Sequence, residues 1–266
     1  MSFVLRDQID RGGKVYGAWV ASGSSRNAET VVRAGFDFVV FDVQHGEASY
    51  AEVRAGIAAL RMMGRPAGVR AGLDGHGDAA RYLDLGAELI VMPMVNSGAD
   101  ARKLVDVLRY PPLGGRSWGP ARAMSLLDVD AETYRAEANR AAIVLAMIET
   151  TAAMAAIGEI LDCEGIDGIF IGPSDLSISL SNGAKLDHSS EAVRHALQTA
   201  LAAAKARGKL SGIFCASGAA AAHNAHLGFD ILAIASDLAF LTEGAKSVLQ
   251  SAREGAGMPG IGGQGY

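Results

Sequence analysis

Eight short apolar, β-branched runs recur along this chain, each followed by a longer segment of helical pattern. They read "YGAWVAS", "FDFVVFDVQ", "RPAGVRA", "AELIVMPM", "AAIVLAMIE", "IDGIFIG", "LSGIFCAS" and "FDILAIAS". The segments between them, such as "NAETVVRAG" and "GAAAAHNAHLG", are amphipathic or Ala-rich, and such compositions favour helix. Several end at Gly just before the next run, as in "RAGFDF", "DLGAEL" and "HLGFDI", where a helix is expected to stop. Eight strand–helix units in roughly 250 residues predict an α/β chain closed as a (β/α)8 TIM barrel. A doubly wound open sheet is the structural alternative, because periodicity does not report closure.

No Gly/Ser/Pro linker divides the chain, so residues 1–266 are expected to form one barrel domain. Regular alternation fails at "RYPPLGGRSWGPARAMSLL", between the fourth and fifth units; this reads as a long loop of the functional kind. The tail, about residues 255–266, is expected to be mobile or to lie at an interface. A formal net charge of −5 with no basic stripe argues against a nucleic acid or an anionic membrane as partner. Apolar runs such as "AAIVLAMI" are far shorter than the ~18 residues that span a bilayer. The opening "MSFVLRDQID" lacks the apolar core of a signal peptide. Cys163 and Cys215 form no CxxC pair, which suits a reducing, cytoplasmic setting.

Barrel enzymes carry their chemistry at the C-terminal ends of the strands. Glu149 and Asp175 end the fifth and sixth strands, so their carboxylates can approach each other at the mouth. Two acids with no clustered His or Cys suit a hard divalent cation, Mg²⁺ or Mn²⁺, with Co²⁺ a third candidate. The plainer alternative is that Glu149 caps the helix after it, helped by Thr150 or Thr151. His45, just past the second strand in "FDVQHGE", suits a general base tuned by a nearby carboxylate, with Asp42 close in sequence. The alternative is a loop histidine bonded to backbone. Arg70 ends the third strand, where a guanidinium can hold a carboxylate or a developing oxyanion, or simply pair with an acid. "IGPSDLS" sets Gly172, Pro173 and Ser174 in a turn whose free N–H groups can bind a carboxylate. Lysine ends no strand, which argues against Schiff-base or pyridoxal chemistry. No dinucleotide fingerprint or Walker loop occurs.

Taken in order, "FDFVVFDVQHG", "RPAGVRA", "YLDLGAELIVMPMVNS", "RYPPLGGRSWGPARA", "MIET" and "IFIGPSDLS" resemble the HpcH/HpaI family of class II pyruvate-dependent aldolases. The resemblance runs from about Tyr16 to Leu241. It implies a (β/α)8 barrel assembled as a hexamer, a trimer of dimers, with the last helix exchanged between subunits. By motif it implies Glu149 and Asp175 as metal ligands, His45 as the base and Arg70 as the group that stabilises an enolate. It also implies that Ser174 and Asp175 take the pyruvate carboxylate through their backbone. Asp84 in "YLDLGA" matches an acid that sharpens the histidine across a subunit interface; residue spacing alone favours Asp42 for that task. Trp19 is expected to line the pocket. Many relatives carry Gln two residues before the metal-binding Glu; here Met147 stands there, which implies a more apolar, more tolerant pocket.

The expected reaction is reversible cleavage of a 4-hydroxy-2-oxoacid to pyruvate, or a related 2-oxoacid such as hydroxypyruvate, and an aldehyde. A citrate-lyase-β or malyl-type lyase acting on a coenzyme A thioester is the alternative within enzymes. A non-catalytic 2-oxoacid-binding barrel is the alternative outside them.

Overall fold

The computed structural model describes residues 3–255, and the tail expected to be mobile or at an interface lies outside the described residues. All eight apolar runs form strands: β1 Val15–Val20, β2 Phe38–Asp42, β3 Ala67–Arg70, β4 Leu89–Met92, β5 Ile143–Ile148, β6 Gly168–Ile171, β7 Leu210–Cys215 and β8 Ile231–Ser236. Each pairs in parallel with the next, and β8 pairs back to β1, so the sheet is a closed barrel rather than an open one. The helices in chain order are α1 Val4–Asp10, α2 Ser25–Arg33, α3 Tyr50–Met62, α4 His76–Asp84, α5 Gly98–Leu108, α6 Ala121–Leu127 and α7 Ala131–Ala141. They continue as α8 Thr151–Ala155, α9 Ile157–Leu161, α10 Pro173–Leu180, α11 Glu191–Lys205, α12 Gly218–Leu227 and α13 Asp237–Gly255.

Strand periodicity divides the core in two. Outward-facing side chains such as Val39, Phe41, Val69, Ile90, Val144 and Ile169 meet the helices. Inward-facing ones, among them Phe38, Val40, Leu89, Val91, Leu145 and Phe170, fill the barrel. The interior alternates large with small residues: a β-carbon on Gly17 would strike the Phe38 ring, and one on Gly212 would lie 2.6 Å from Phe170. α1 closes the strand-start end, inserting Leu5 and Ile9 into the inner cluster, and the Leu5 N–H donates to buried Glu88 at 2.9 Å. Glu88 is paired with Arg61 in turn. Neither the α1 plug nor this pair is signalled in the sequence, because a seven-residue helix carries too little periodicity to read.

The Pro- and Gly-rich interruption differs from expectation. It follows α5, so it is a helix-to-strand connection on the face opposite the mouth of its own barrel, and its last part folds as α6. Arg109 anchors its start, donating to the carbonyls of Gly165 (2.8 Å) and Ala142 (2.9 Å) and pairing with Asp167. Among the described residues no helix is long and apolar enough to cross a membrane.

The small-against-large packing yields a test. Gly212→Val should overpack the barrel and cost about 1–3 kcal/mol. Adding Phe170→Leu should recover part of that loss, read as the thermal midpoint of each purified variant. A double variant less stable than Gly212→Val alone would contradict the packing described.

Candidate active site

The inward rows of β2 and β3 change character at their last residues, and that of β5 changes one residue past its end. Phe38 and Val40 lead to Asp42, Gly68 leads to Arg70, and Leu145 and Met147 lead to Glu149. The same alternation that builds the core therefore delivers charged groups to the strand-end mouth. There a cavity of about 270 Å³ is lined by residues that include Trp19, Asp42, His45, Arg70, Met147 and Asp175. Gly172, Pro173, Ser174 and Phe214 complete its wall.

Asp42 and Arg70 are register partners on β2 and β3, and both are buried. Arg70 donates from Nε to Oδ1 at 2.9 Å and from its terminal nitrogen to Oδ2 at 2.6 Å, a two-point ion pair. Its guanidinium carbon also lies 5.1 Å from the centre of the Trp19 ring. Burial pushes the Asp42 carboxyl up, but the hydrogen bonds and charge of Arg70 outweigh it, with help from Trp19 and the His45 N–H. The net effect holds Asp42 below the usual carboxylate range. Its Oδ1 further accepts the main-chain N–H groups of Gln44 (3.1 Å) and His45 (3.2 Å). Asp42 thus shapes the turn that carries His45 and binds its backbone; among the described residues it makes no hydrogen bond to the His45 imidazole.

Glu149 is 2% exposed and accepts the Met94 N–H at 2.7 Å. The helix after it is capped by Thr150, whose side chain accepts the Ala153 N–H at 3.0 Å, so Glu149 is not needed as a cap. Burial raises the Glu149 carboxyl above the ordinary range and the neighbouring Asp175 charge adds to the rise, while the Met94 N–H and Arg70 oppose it. Among the described residues neither Glu149 nor Asp175 takes part in an ion pair. Gly172 makes the approach possible: a β-carbon there would sit 2.8 Å from Glu149 Oε2 and 2.7 Å from the Met147 methyl. Met147 is 3% exposed and faces the same cavity. Pro173 occupies the first turn of α10, and the N–H groups of Ser174 and Asp175 there lie before the first intrahelical hydrogen bond, which Leu176 donates to Gly172.

Other strand-end polar residues have structural tasks. Ser24 and Ser217 cap α2 and α12, and Asp237 accepts from Ala21, Ser22 and Asn27, binding the first strand's loop to the start of α13. Asp84 ends α4, which runs from the mouth back to the start of β4, and its carboxylate accepts from Arg116 at 2.6 Å. Within one chain it therefore lies at the other end of the barrel from His45. His195 is exposed on α11, and His223 and His226 are exposed on α12. Lys14 and Lys209 donate to the carbonyls of Phe229 and Ile166, around the strand starts. Phe214 is a pocket residue that residue-by-residue reading passed over, although β7 alternation from Gly212 puts it inside.

A protein-family model described as HpcH/HpaI aldolase/citrate lyase matches residues 15–243 of the chain. The chain is 37% identical over 249 residues to a hydroxypyruvate/pyruvate aldolase of Rhizorhabdus wittichii, covering 94% of this chain and 98% of the relative. It is 34% identical over 256 residues to a 4-hydroxy-2-oxo-heptane-1,7-dioate aldolase of Salmonella arizonae, covering 96% of each. A crystal structure of an HpcH/HpaI aldolase from Desulfitobacterium hafniense superposes with a TM-score of 0.88 at 25% identity, covering 98% of this chain and all of that one.

The raised Glu149 carboxyl has a definite sign. Its contribution to stability is full below the unfolded value of about 4.3 and is lost as pH rises through the higher folded value. Metal-free Glu149→Gln keeps an acceptor for Met94 and removes the charge, so it should melt higher than wild type at pH 7.5. A gain of roughly 2–4 °C corresponds to about 1 kcal/mol in a chain of this size. The gain should vanish near pH 4; an unchanged or lower midpoint at pH 7.5 would contradict the electrostatics described.

Proposed function

The chain belongs to the HpcH/HpaI aldolase/citrate lyase family, and on that premise we propose how its mouth residues carry out the reaction. The protein is a carbon–carbon lyase that cleaves a 4-hydroxy-2-oxoacid reversibly into pyruvate, or a related 2-oxoacid such as hydroxypyruvate, and an aldehyde. The observation that carries the assignment of roles is a buried carboxyl, Glu149, without an ion-pair partner among the described residues and next to the exposed Asp175, at a cavity that Asp175 shares with a buried guanidinium and a histidine.

Glu149 and Asp175 would hold a divalent cation, Mg²⁺ or Mn²⁺, with Co²⁺ also suited. The donor set fits: two hard oxygen donors, no grouping of three His, Cys or acid side chains among the described residues, and space at Gly172 for the Glu149 oxygen. When bound, such an ion supplies Lewis acidity toward the keto and carboxylate oxygens of the 2-oxoacid. The N–H groups of Ser174 and Asp175, at the positive end of α10, receive the substrate carboxylate. In cleavage, His45 takes the proton of the 4-hydroxyl as the C3–C4 bond breaks. The aldehyde leaves with the new carbonyl, and the bonding pair becomes the enolate of the 2-oxoacid. Arg70, already clamped by Asp42 and Trp19, faces the enolate oxygen with no side-chain rearrangement. Proton return to C3 completes the 2-oxoacid. Met147 presents a thioether where many relatives carry an amide, so this part of the wall is apolar and tolerant.

Asp84 sharpens His45 only if a second copy brings it to the mouth, so an oligomer is part of the proposal. A hexamer built as a trimer of dimers, with α13 exchanged, agrees with the exposed apolar residues Leu241, Val248 and Leu249 on that helix. The free thiols Cys163 and Cys215 support a reducing cytoplasm.

Exchange of the pyruvate methyl protons with solvent deuterium, followed by NMR, tests the assignment without knowledge of the aldehyde. Wild type with Mn²⁺ or Mg²⁺ should exchange them, and chelator treatment should abolish the exchange until metal is returned. His45→Ala should lower the rate by roughly 10²–10⁴-fold, the range for a positioned acid–base group. Full activity after chelation, or an unaffected His45→Ala variant, would contradict it.

A further inference from the structure

Ser174 lies on a wall between two cavities. One is the catalytic cavity; the other, about 330 Å³, opens between α10, α11, α12 and the end of β7 and is lined by His188, Arg194 and His223 among others. At this wall His188 Nε2 lies 2.9 Å from Ser174 Oγ. The loop that presents His188 is fastened to the helix that presents Ser174. Asp187 N–H donates to Ser177 Oγ at 2.7 Å on one side of His188, and Ser189 donates to Asp187 Oδ1 from its N–H at 2.9 Å and its hydroxyl at 2.7 Å on the other. Farther back, the Lys185 N–H donates to Ser181 Oγ at 3.0 Å. The contact is therefore held by bonds that flank it, although His188 is itself exposed.

The proton inventory of a serine makes this contact consequential. A hydroxyl has one proton to donate. If Ser174 gave that proton to His188, its lone pairs would face the anion that the start of α10 is proposed to bind. If His188 donates instead, the Ser174 proton turns to the catalytic cavity and becomes a third donor beside the N–H groups of Ser174 and Asp175. We propose that His188 is a positioning residue: its Nε2–H donates to Ser174 Oγ and directs the Ser174 hydroxyl proton onto the carboxylate of the bound 2-oxoacid. His188 touches neither substrate nor the reacting atoms; it acts through Ser174. The inference rests on the aldolase reading and adds a substrate-binding role for the Ser174 side chain and an indirect one for His188.

Pyruvate methyl exchange in the metal-loaded enzyme separates the effects. His188→Ala should raise KM for pyruvate roughly tenfold, the lower end for loss of a hydrogen bond to a charged group, and leave kcat within about twofold. Ser174→Ala should raise KM by a similar factor, and the double variant should be no worse than Ser174→Ala alone. His188→Gln, which can supply an N–H, should return KM to within about threefold of wild type. An unchanged KM in His188→Ala, a double variant with additive losses, or a fall in kcat with KM unmoved would overturn the assignment while wild-type exchange keeps the aldolase reading intact. A wild type that exchanges nothing would overturn both. Thermal midpoints equal to wild type in all variants exclude misfolding as the source of an effect.

Discussion

The ion pair between Asp42 and Arg70 is the constraint on which the rest of the mouth depends. The two residues are opposite one another in the register of β2 and β3, so barrel closure itself brings them together. One carboxylate then does two things. It fixes a buried guanidinium at two points, and it gathers the N–H groups that fold the turn bearing His45. Removing it would leave an unpaired buried charge, a loss of about 3–5 kcal/mol in comparable cases, and would release the histidine turn as well.

Against this satisfied pair stands an unsatisfied one. Glu149 and Asp175 lie on the other side of the cavity with no cation partner among the described residues, and burial works against ionisation of Glu149. A fold tolerates such a pair where a ligand relieves it, and the strain sits at the functional end of the barrel. The two pairs give the cavity a polarity: a fixed positive group on β3 facing acidic groups just past β5 and at the start of α10. A 2-oxoacid, with adjacent keto and carboxylate oxygens, matches that polarity.

Much of this was legible in the sequence for a physical reason. A parallel strand buried on both faces reads as a continuous apolar run, so a charged residue at its last inward position stands out; Arg70 and Glu149 were visible in this way. Interactions that depend on register were not. The pairing of Asp42 with Arg70, rather than with the His45 ring, follows from how β2 and β3 align. The choice between Glu149 as a cap and Glu149 as a free acid turned on Thr150, a decision the sequence left open. The connection at 109–127 was legible as irregular, but its face was missed, although a segment that follows a helix in a barrel must lie away from the mouth. Phe214 and the His188–Ser174 contact emerge only in the folded chain, because the first is one apolar residue among many and the second joins a loop to a helix residue fourteen positions earlier.

The central claim is that Glu149 and Asp175 together form one cation seat. Titration of Mn²⁺ into the chelator-treated protein, followed by water-proton relaxation, measures it directly. Wild type should bind one Mn²⁺ per chain, and Asp175→Asn should weaken binding by well over the ~10-fold typical of losing an outer-sphere group. No saturable site in wild type, or equal affinity in Asp175→Asn, would contradict the account.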